Sequence, residues 1–317
     1  MEDRVNSMKH VKVLSVNISE EKGTVKRPVD FITLSDLGVE HDAHAGRWNR
    51  QVSLLGTESI RKFEEASGRK IKYGEFAENI TTEGIELWKL KPLDRFTLGD
   101  LELEVTQIGK ECHGKSCTIF KEVGDCVMPK EGIFCRVTRP GTLRPGDVLE
   151  YHPRVISVHI ITLSDRASRG EYEDRSGPRI KELIEEFFTI LQTPYSILCS
   201  LIPDDPDQLK NLLILAREEQ TDLVFTTGGT GIGPRDFTPD VVRSFLDKEI
   251  PGIMEMIRVK FGALKPNALA SRSVAGVMGQ TLVFTLPGSV KAVNEYLDII
   301  LPSLNHLLFM MQGIDQH

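Results

Sequence analysis

The first half of the chain is written in short runs of alternating apolar and polar residues. Val11 and Val13 alternate with polar neighbours and lead into a stretch reaching Ile18, and this period of two predicts a strand with one buried face. QVSLL (51–55), LELEVTQI (101–108), GIFCRV (132–137) and DVLEY (147–151) repeat the pattern, with Leu101, Leu103 and Val105 in strict alternation. Only Thr57 to Ser67 carries helical spacing, through Ile60 and Phe63. Short strands punctuated by Gly and Pro predict a mostly β domain closed into a barrel.

After YHPR (151–154) the pattern changes. VISVHIITL (155–163) is almost continuously apolar, as a strand buried on both faces of a parallel sheet must be. Ile180, Leu183, Ile184, Phe187 and Phe188 then form one stripe of a helix, and YSILCSLI (195–202) reads as a second strand. Leu209, Leu212, Leu213 and Ala216 mark another helix, LVFTT (223–227) a third strand, and a helix follows from about Pro239. TLVFTLPG (281–288) is a later strand, followed by a helix bearing Val290, Val293 and Leu297. This alternation predicts a three-layer α/β domain on a mostly parallel sheet. Two domains are expected, 1–154 and 155–317, with no long linker between them.

Composition narrows the partners. The 317 residues carry a net charge of -7, and most of the excess lies beyond Arg154, where 21 acidic residues face 15 basic ones. That field repels long polyanions, so nucleic acid is not an expected partner, while a small phosphorylated ligand can still be held by local backbone donors. No run approaches the 18 apolar residues of a membrane span, so no membrane association is expected. The opening twenty residues lack the apolar core and cleavage site of an export signal, which predicts a cytoplasmic protein with reduced cysteines.

The sharpest chemical signal is LVFTTGGTGIGPRDFTPD, from Leu223 to Asp240. Glycines at the carboxyl end of a buried parallel strand let backbone N–H groups face the crevice where α/β ligands bind. Thr226, Thr227 and Thr230 are expected to add hydroxyl donors there. The spacing is neither that of a dinucleotide fingerprint nor that of a Lys-containing phosphate loop. Asp204 in LIPDD and Asp165 in LSDRASRG end neighbouring strands, so their carboxylates should emerge at the same edge as Asp236, with Ser164 and Ser168 nearby. Converging carboxylates beside phosphate-binding amides suit Mg²⁺, with Asp204 and Asp236 as the expected ligands. Asp205 instead suits a helix cap before Pro206.

LSDRASRGEYEDRSGP, LIPDD, TTGGTGIGPRD, TPD, PGI, SRSVAG and LPGSVKAV occur in this order. Together they resemble the molybdopterin adenylyltransferases of molybdenum cofactor biosynthesis over residues 155–317. The resemblance implies a domain, usually trimeric, that transfers AMP from Mg-ATP to the terminal phosphate of molybdopterin. It implies catalytic and metal-binding roles for Asp204 and Asp236. Asp165 and Ser168 are expected to bind ligand from their place at that strand edge, and the resemblance implies ligand binding by the loop of Thr227, Gly228, Gly229, Thr230 and Gly231, the Ser271–Arg272 pair, and the Pro287–Gly288–Ser289 turn. No Ser-His or Cys-His pair is evident in this domain: Cys199 lies inside an apolar strand, and His159, between Val158 and Ile160, reads as structural. That fits electrostatic catalysis.

In the first domain Cys112, Cys117, Cys126 and Cys135 follow C-x4-C-x8-C-x8-C, with His113 beside the first. The tight C-x2-C knuckle of most zinc sites is missing. Cys135 alternates with Ile133 and Val137 and reads as a core residue. Cys112 follows a strand, where Lys110, His113 and Lys115 can lower a thiol pKa. HDAH (41–44) could bring His41, Asp42 and His44 to a metal or simply form a surface turn. Trp48 and Trp88 read as core or cleft aromatics.

GVEHDAHAG, QVSLL, FAENITTEGI, LGD and the cysteine loop resemble the MOSC domain over residues 9–151. The resemblance implies that Cys112 carries sulfur or contacts cofactor, and it places Glu78 and Asn79 of ENITT in the cleft. Cys117 and Cys126 depart from the usual form, which leaves open a resolving thiol or several thiols on molybdenum or tungsten. No desulfurase domain is attached, so a sulfur donor and a molybdenum-insertion protein are expected partners. The leading expectation is an enzyme of cofactor biosynthesis that is a homotrimer through 155–317. The alternatives are a non-catalytic cofactor carrier and a cysteine-based redox sensor.

Overall fold

The computed structural model describes residues 9–111 and 126–314. The chain divides into two compact units, one made of the residues up to Arg154 together with Ile314 and the other running from Val155 to Gly313.

The first unit contains β1 (Lys9–Ile18), β2 (Arg27–Val29), β3 (Ile32–Ser35), β4 (Gly38–Val39), β5 (Val52–Gly56), β6 (Ile80–Glu83), β7 (Arg95–Leu98), β8 (Leu101–Ile108), β9 (Ile133–Arg139), β10 (Gly141–Leu143) and β11 (Val148–His152). Seven of these form a ring in the order β11-β7-β8-β9-β5-β6-β1, and β11 pairs with β1 to close it. Every neighbouring pair in the ring is antiparallel except β5 and β6. Alternation fills the interior: Val11, Val13, Leu54, Phe96, Leu101, Leu103, Val105, Ile133, Cys135 and Leu149 form one buried cluster. Closure satisfies the edge hydrogen bonds that an open sheet would leave exposed. Outside the ring, α1 (Thr57–Ser67) packs Ile60 and Phe63 against Phe76, Met128 and Phe134, with the Phe63 and Phe76 rings edge to face at 5.1 Å. Met128 belongs to the single-turn helix α2 (Met128–Glu131).

The second unit holds β12 (Ile156–Leu163), β13 (Tyr195–Ile202), β14 (Leu223–Thr227), β15 (Lys248–Glu249), β16 (Ala275–Met278) and β17 (Thr281–Leu286). They form one sheet in the order β13-β12-β14-β17-β16-β15, parallel across its first four strands and antiparallel beyond. The connecting helices are α3 (Asp165–Ser168), α4 (Ser176–Ile190), α5 (Pro206–Glu218), α6 (Thr238–Phe245), α7 (Pro251–Gly262) and α8 (Val290–Met311). Val158, Ile160, Phe225 and Phe284 point to the face covered by α4, α7 and α8, where they meet Ile180, Ile184, Met254 and Leu297. Ile161, Leu163, Val224 and Val283 point to the other face, under Leu209 and Leu213 of α5 and Val242 of α6. Each fully buried Leu, Ile or Phe contributes roughly 1.5–3 kcal/mol of transfer free energy. The sheet is thus the middle of three layers, with its strand ends free to carry chemistry.

The expectation for Cys199 needs correction. It lies on β13, the edge strand of the sheet, and is exposed rather than enclosed. Leu198 and Leu201 on the same strand are also exposed. His159 on the neighbouring β12 is buried, and its Nε2 meets Ser200 Oγ at 2.8 Å. Burial pushes that imidazole below its ordinary pKa, which keeps it neutral and structural.

Candidate active site

The carboxyl ends of β12, β13 and β14 converge on one cavity of about 320 Å³ lined by Asp165, Asp204, Asp236, Gly229, Arg169 and Arg235, among others. The pairing of Leu163 with Ile202 ends the β12–β13 ladder, and two residues later Asp165 and Asp204 stand side by side. The two aspartates bracket each other: Asp204 N–H donates to Asp165 Oδ1 at 2.9 Å, and Asp165 N–H donates to Asp204 Oδ2 at 3.3 Å. One guanidinium nitrogen, Arg235 Nη2, pairs with Asp165 Oδ2 and lies 3.6 Å from Asp204 Oδ2. The hydrogen bond from Arg235 holds the Asp165 carboxyl below its usual pKa. Asp205 caps α5 by accepting from Asp207 N–H at 2.9 Å and Gln208 N–H at 3.3 Å.

The glycine loop reaches the cavity because no side chain intervenes. Gly228 has φ +107°, and a Cβ there would lie 2.3 Å from the Leu163 carbonyl oxygen. Gly229 is also left-handed, at φ +61°. The hydroxyls read from LVFTT behave differently. Thr226 is fully buried, and Thr227 donates to the Pro287 carbonyl at 3.0 Å. Both sheet faces are covered by helices, so side chains of β14 pack into layers and only backbone is left for a ligand. Thr230 is buried too, and its carbonyl accepts from Arg272 N–H at 2.9 Å.

Asp236 enters from the loop that follows. Its Oδ2 accepts from Gly233 N–H at 2.7 Å. Arg272 ties this loop down: Nε donates to the Gly231 carbonyl at 2.9 Å, Nη2 to the Asp236 carbonyl at 2.6 Å, and the remaining reach pairs with Asp240. Its guanidinium is committed to protein, so it positions Asp236. Ser271 Oγ accepts from Tyr296 OH at 2.8 Å and lies 3.0 Å from Ser273 Oγ. Ser289 caps α8 through Ala292 N–H at 3.2 Å, and Gly288 stands against Gly228. Ser168 donates to the Asp165 carbonyl at 2.9 Å, within its own turn of helix.

The donor chemistry suits a hard cation. Asp165 and Asp204 already aim oxygens at one positive nitrogen, and Asp236 lines the same space. The structure therefore pairs Asp204 most directly with Asp165. Among the described residues, no cluster of three or more His, Cys, Asp or Glu side chains is arranged to hold a metal ion.

The first unit has its own cavity, about 440 Å³, walled by Lys22, His44, Trp48, Arg50, Asn79 and Lys110 with further residues. Arg50 and Lys22 stand over the Trp48 ring at 5.1 and 5.9 Å, and His44 stacks on it at 6.3 Å. The HDAH segment builds this wall. Asp42 is buried in an ion pair with Lys26 and accepts from Ser19 N–H at 3.1 Å and His44 N–H at 3.0 Å. Burial pushes the Asp42 carboxyl up, but the hydrogen bond from His44 and the charge of Lys26 outweigh it and hold the pKa low. Asp42 is thus a brace, and the pair of imidazoles assembles no metal site. Asn79 accepts from Ser53 N–H at 3.2 Å, and Glu78 is fully buried, accepting from Gly74 N–H at 2.7 Å and Thr81 OH at 2.9 Å. Burial pushes the Glu78 carboxyl up. Trp88 is half-buried under Lys62. Cys135 is in the core, where burial drives its thiol pKa up, while Cys112, His113 and Cys117 lie outside the described residues.

The family model described as a probable molybdopterin binding domain matches residues 159–306, and that of the MOSC domain matches residues 41–150. The molybdopterin adenylyltransferase of Helicobacter pylori J99 is 35% identical over 161 residues, covering 50% of this chain and 90% of that protein. The chain belongs to the molybdopterin adenylyltransferase family. Within that family the Escherichia coli K12 enzyme is 36% identical over 144 residues, covering 45% of this chain and 72% of its own length. Gephyrin of Dictyostelium discoideum is 35% identical over 162 residues but is covered to only 22%. The solved structure of the molybdopterin biosynthesis enzyme MoaB from Thermus thermophilus is 40% identical, covers 50% of this chain and 98% of its own, and has a TM-score of 0.45. This family member carries its adenylyltransferase-like unit behind a MOSC unit.

The sequence pattern assigns Asp165, Asp204, Asp236 and Gly229, and the structure brings all four to one cavity. It does not assign Arg166 or Arg169, although they follow Asp165 in the same motif. Nor does it find Lys22 and Arg50, or that Lys110, read only as a neighbour of Cys112, shares a cavity with them.

Proposed function

We propose that the second unit transfers AMP from Mg-ATP to the terminal phosphate of molybdopterin. The observation that carries this is the meeting of Asp165, Asp204 and Asp236 with the side-chain-free Gly229 in one cavity. An oxygen of the pterin phosphate attacks the α-phosphorus of ATP, and the bond to the bridging oxygen of pyrophosphate breaks with its electron pair. The acceptor is already anionic, so no side chain has to remove a proton. Asp204 and Asp236, with Asp165 beside Asp204, would hold the Mg²⁺ of the nucleotide, and the ion would neutralise charge on the phosphates. Backbone N–H groups of the glycine turn stabilise the charge that spreads over the transferring group. Arg272 keeps Asp236 in place.

The first unit handles the resulting cofactor or its sulfur. Its cavity gathers Lys22 and Arg50 over the Trp48 indole and Lys110 over the Phe134 ring, which suits an anionic ring-bearing ligand. Cys112 is the proposed sulfur carrier, with a donor protein and a molybdenum-insertion protein as partners, in the cytoplasm. No helix among the described residues is long and apolar enough to cross a membrane. Met256 and Val259 leave 52% and 69% of their surface exposed on α7, which supports a homotrimer through the second unit, to be read by sedimentation of the intact chain.

The test is pyrophosphate release by the intact chain. Release should require molybdopterin as well as Mg-ATP, and Asp204→Asn or Asp236→Asn should lower the rate about a hundredfold, the loss of ~3 kcal/mol of transition-state stabilisation. Wild-type turnover in either variant, or ATP consumption without pterin, refutes the assignment.

A further inference from the structure

The cavity wall carries three carboxylates, Asp165, Asp204 and Asp236, and three guanidiniums, Arg166, Arg169 and Arg235. Two of the guanidiniums have their nearest partners elsewhere. Arg169 Nε lies 2.7 Å from Glu171, with Nη1 at the longer distance of 4.0 Å from Asp165 Oδ2, and Arg166 stands 5.2 Å over the Tyr172 ring. Arg235 pairs with Asp165 and Asp204, and it does so through a single nitrogen while 64% of its side chain stays exposed.

The carboxylates do not depend on it for their placement. The reciprocal backbone hydrogen bonds between Asp165 and Asp204 hold both groups whatever Arg235 does. Arg235 also springs from a loop containing Gly231 and Gly233, and an exposed guanidinium held through one nitrogen is easily released. Charge at the pair is therefore neutralised chiefly by a group that can leave without disturbing the geometry it neutralises, with Arg169 a more distant second cation.

We infer that Arg235 is an internal counter-ion of the metal-free site: it yields Asp165 and Asp204 to the divalent cation of the nucleotide and then turns to the phosphates. This rests on the adenylyl-transfer reading and adds a positioning residue to it. A guanidinium and a divalent cation cannot share one pair of carboxylates without repulsion, whereas a polyphosphate offers the guanidinium a new bidentate partner. Cation and nucleotide then bind with positive coupling, each favouring the other by the same factor.

The experiment measures Mn²⁺ binding to the intact chain by the loss of the free-ion paramagnetic resonance signal, with and without α,β-methylene ATP, corrected for chelation by the nucleotide alone. Arg235→Gln should bind Mn²⁺ alone about fivefold more tightly than wild type and lose the same factor of coupling. Arg235→Lys, which keeps one cationic nitrogen, should stay within about twofold of wild type. Unchanged or weaker Mn²⁺ binding in Arg235→Gln overturns the inference. So does failure of that variant to fold, because an exposed counter-ion should not be needed for folding. Asp204→Asn separates the two levels. If it abolishes Mn²⁺–nucleotide binding while Arg235→Gln changes nothing, the counter-ion role alone falls. If it binds like wild type, the carboxylate reading falls with it.

Discussion

Arg272 is the residue through which the glycine loop can be loosened without touching the carboxylates. Its side chain makes two hydrogen bonds to loop carbonyls, at Gly231 and Asp236, and one ion pair with Asp240. The ion pair is open to solvent, with 37% and 54% of the two side chains exposed, so it contributes at most ~1 kcal/mol. Each carbonyl bond contributes about 1 kcal/mol net, so losing both costs about 2 kcal/mol of loop order. At ~1.4 kcal/mol per decade that is close to thirtyfold in the equilibrium constant for holding Asp236 in place, and as much in activity where the loosened loop predominates. Arg272→Lys is the sharp perturbation, because it retains the charge but has carbon at the Nε position and ends one bond short of Nη2, so both carbonyl bonds are lost. The variant should lose about thirtyfold in kcat/KM for pyrophosphate release and show faster amide hydrogen exchange from Gly231 to Asp236. Asp240→Asn should lose less than about fivefold, as expected for an exposed pair. Exchange and kcat/KM both within twofold of wild type in Arg272→Lys would refute the reasoning. Equal losses in the two variants would shift the weight from the carbonyls to the ion pair.

Two further expectations concern the first unit. The folded Glu78 carboxyl titrates above the unfolded one because burial disfavours its charge. Below its unfolded pKa both states are protonated and nothing is lost; as pH rises through the interval up to the folded pKa, the unfolded state ionises first and stability falls. Glu78→Gln should therefore gain on wild type as pH rises through and above the ordinary Glu value of about 4.3, followed by fluorescence of Trp48 and Trp88 during urea unfolding; a pH-independent difference would count against it. Alkylation across a pH series should label Cys112 ahead of Cys117 and Cys126 and spare Cys135, which is fully buried with its thiol pKa pushed up. First labelling at Cys117 would move the sulfur-carrying role to that residue.

What the sequence made legible were features with local signatures. Long strands such as Leu101–Ile108 and Ile156–Leu163 carry enough residues to show their period, and the glycines after Thr227 announce a turn by themselves. Strands of two to four residues, such as Gly38–Val39 and Lys248–Glu249, carry too little pattern and exist because a longer neighbour pairs with them. The exposure of Cys199 was hidden because strand order in a sheet cannot be read from the apolar content of one strand. Arg272 looked like a ligand-binding residue because its motif stands near the site, but its partners lie 41 and 36 residues away in sequence. Asp42 and Lys26 posed the same difficulty: their buried pairing depends on how the chain returns across 16 residues.

The mutual bracketing of Asp165 and Asp204 makes the sheet itself the ruler for this chemistry. Their spacing is inherited from the β12–β13 register, which continues unbroken from Ile156 opposite Tyr195 to Leu163 opposite Ile202. Side chains beneath the strands can therefore drift in size over many generations without separating the two carboxylates, provided the count of residues between them and the ladder is kept. A single-residue insertion in either strand has the opposite effect. It leaves composition and most of the packing residues intact, yet it moves one aspartate about 3.3 Å along its strand and turns it to the other face. Divergent copies of this domain should accordingly accept substitutions along β12 and β13 far more readily than changes in their length.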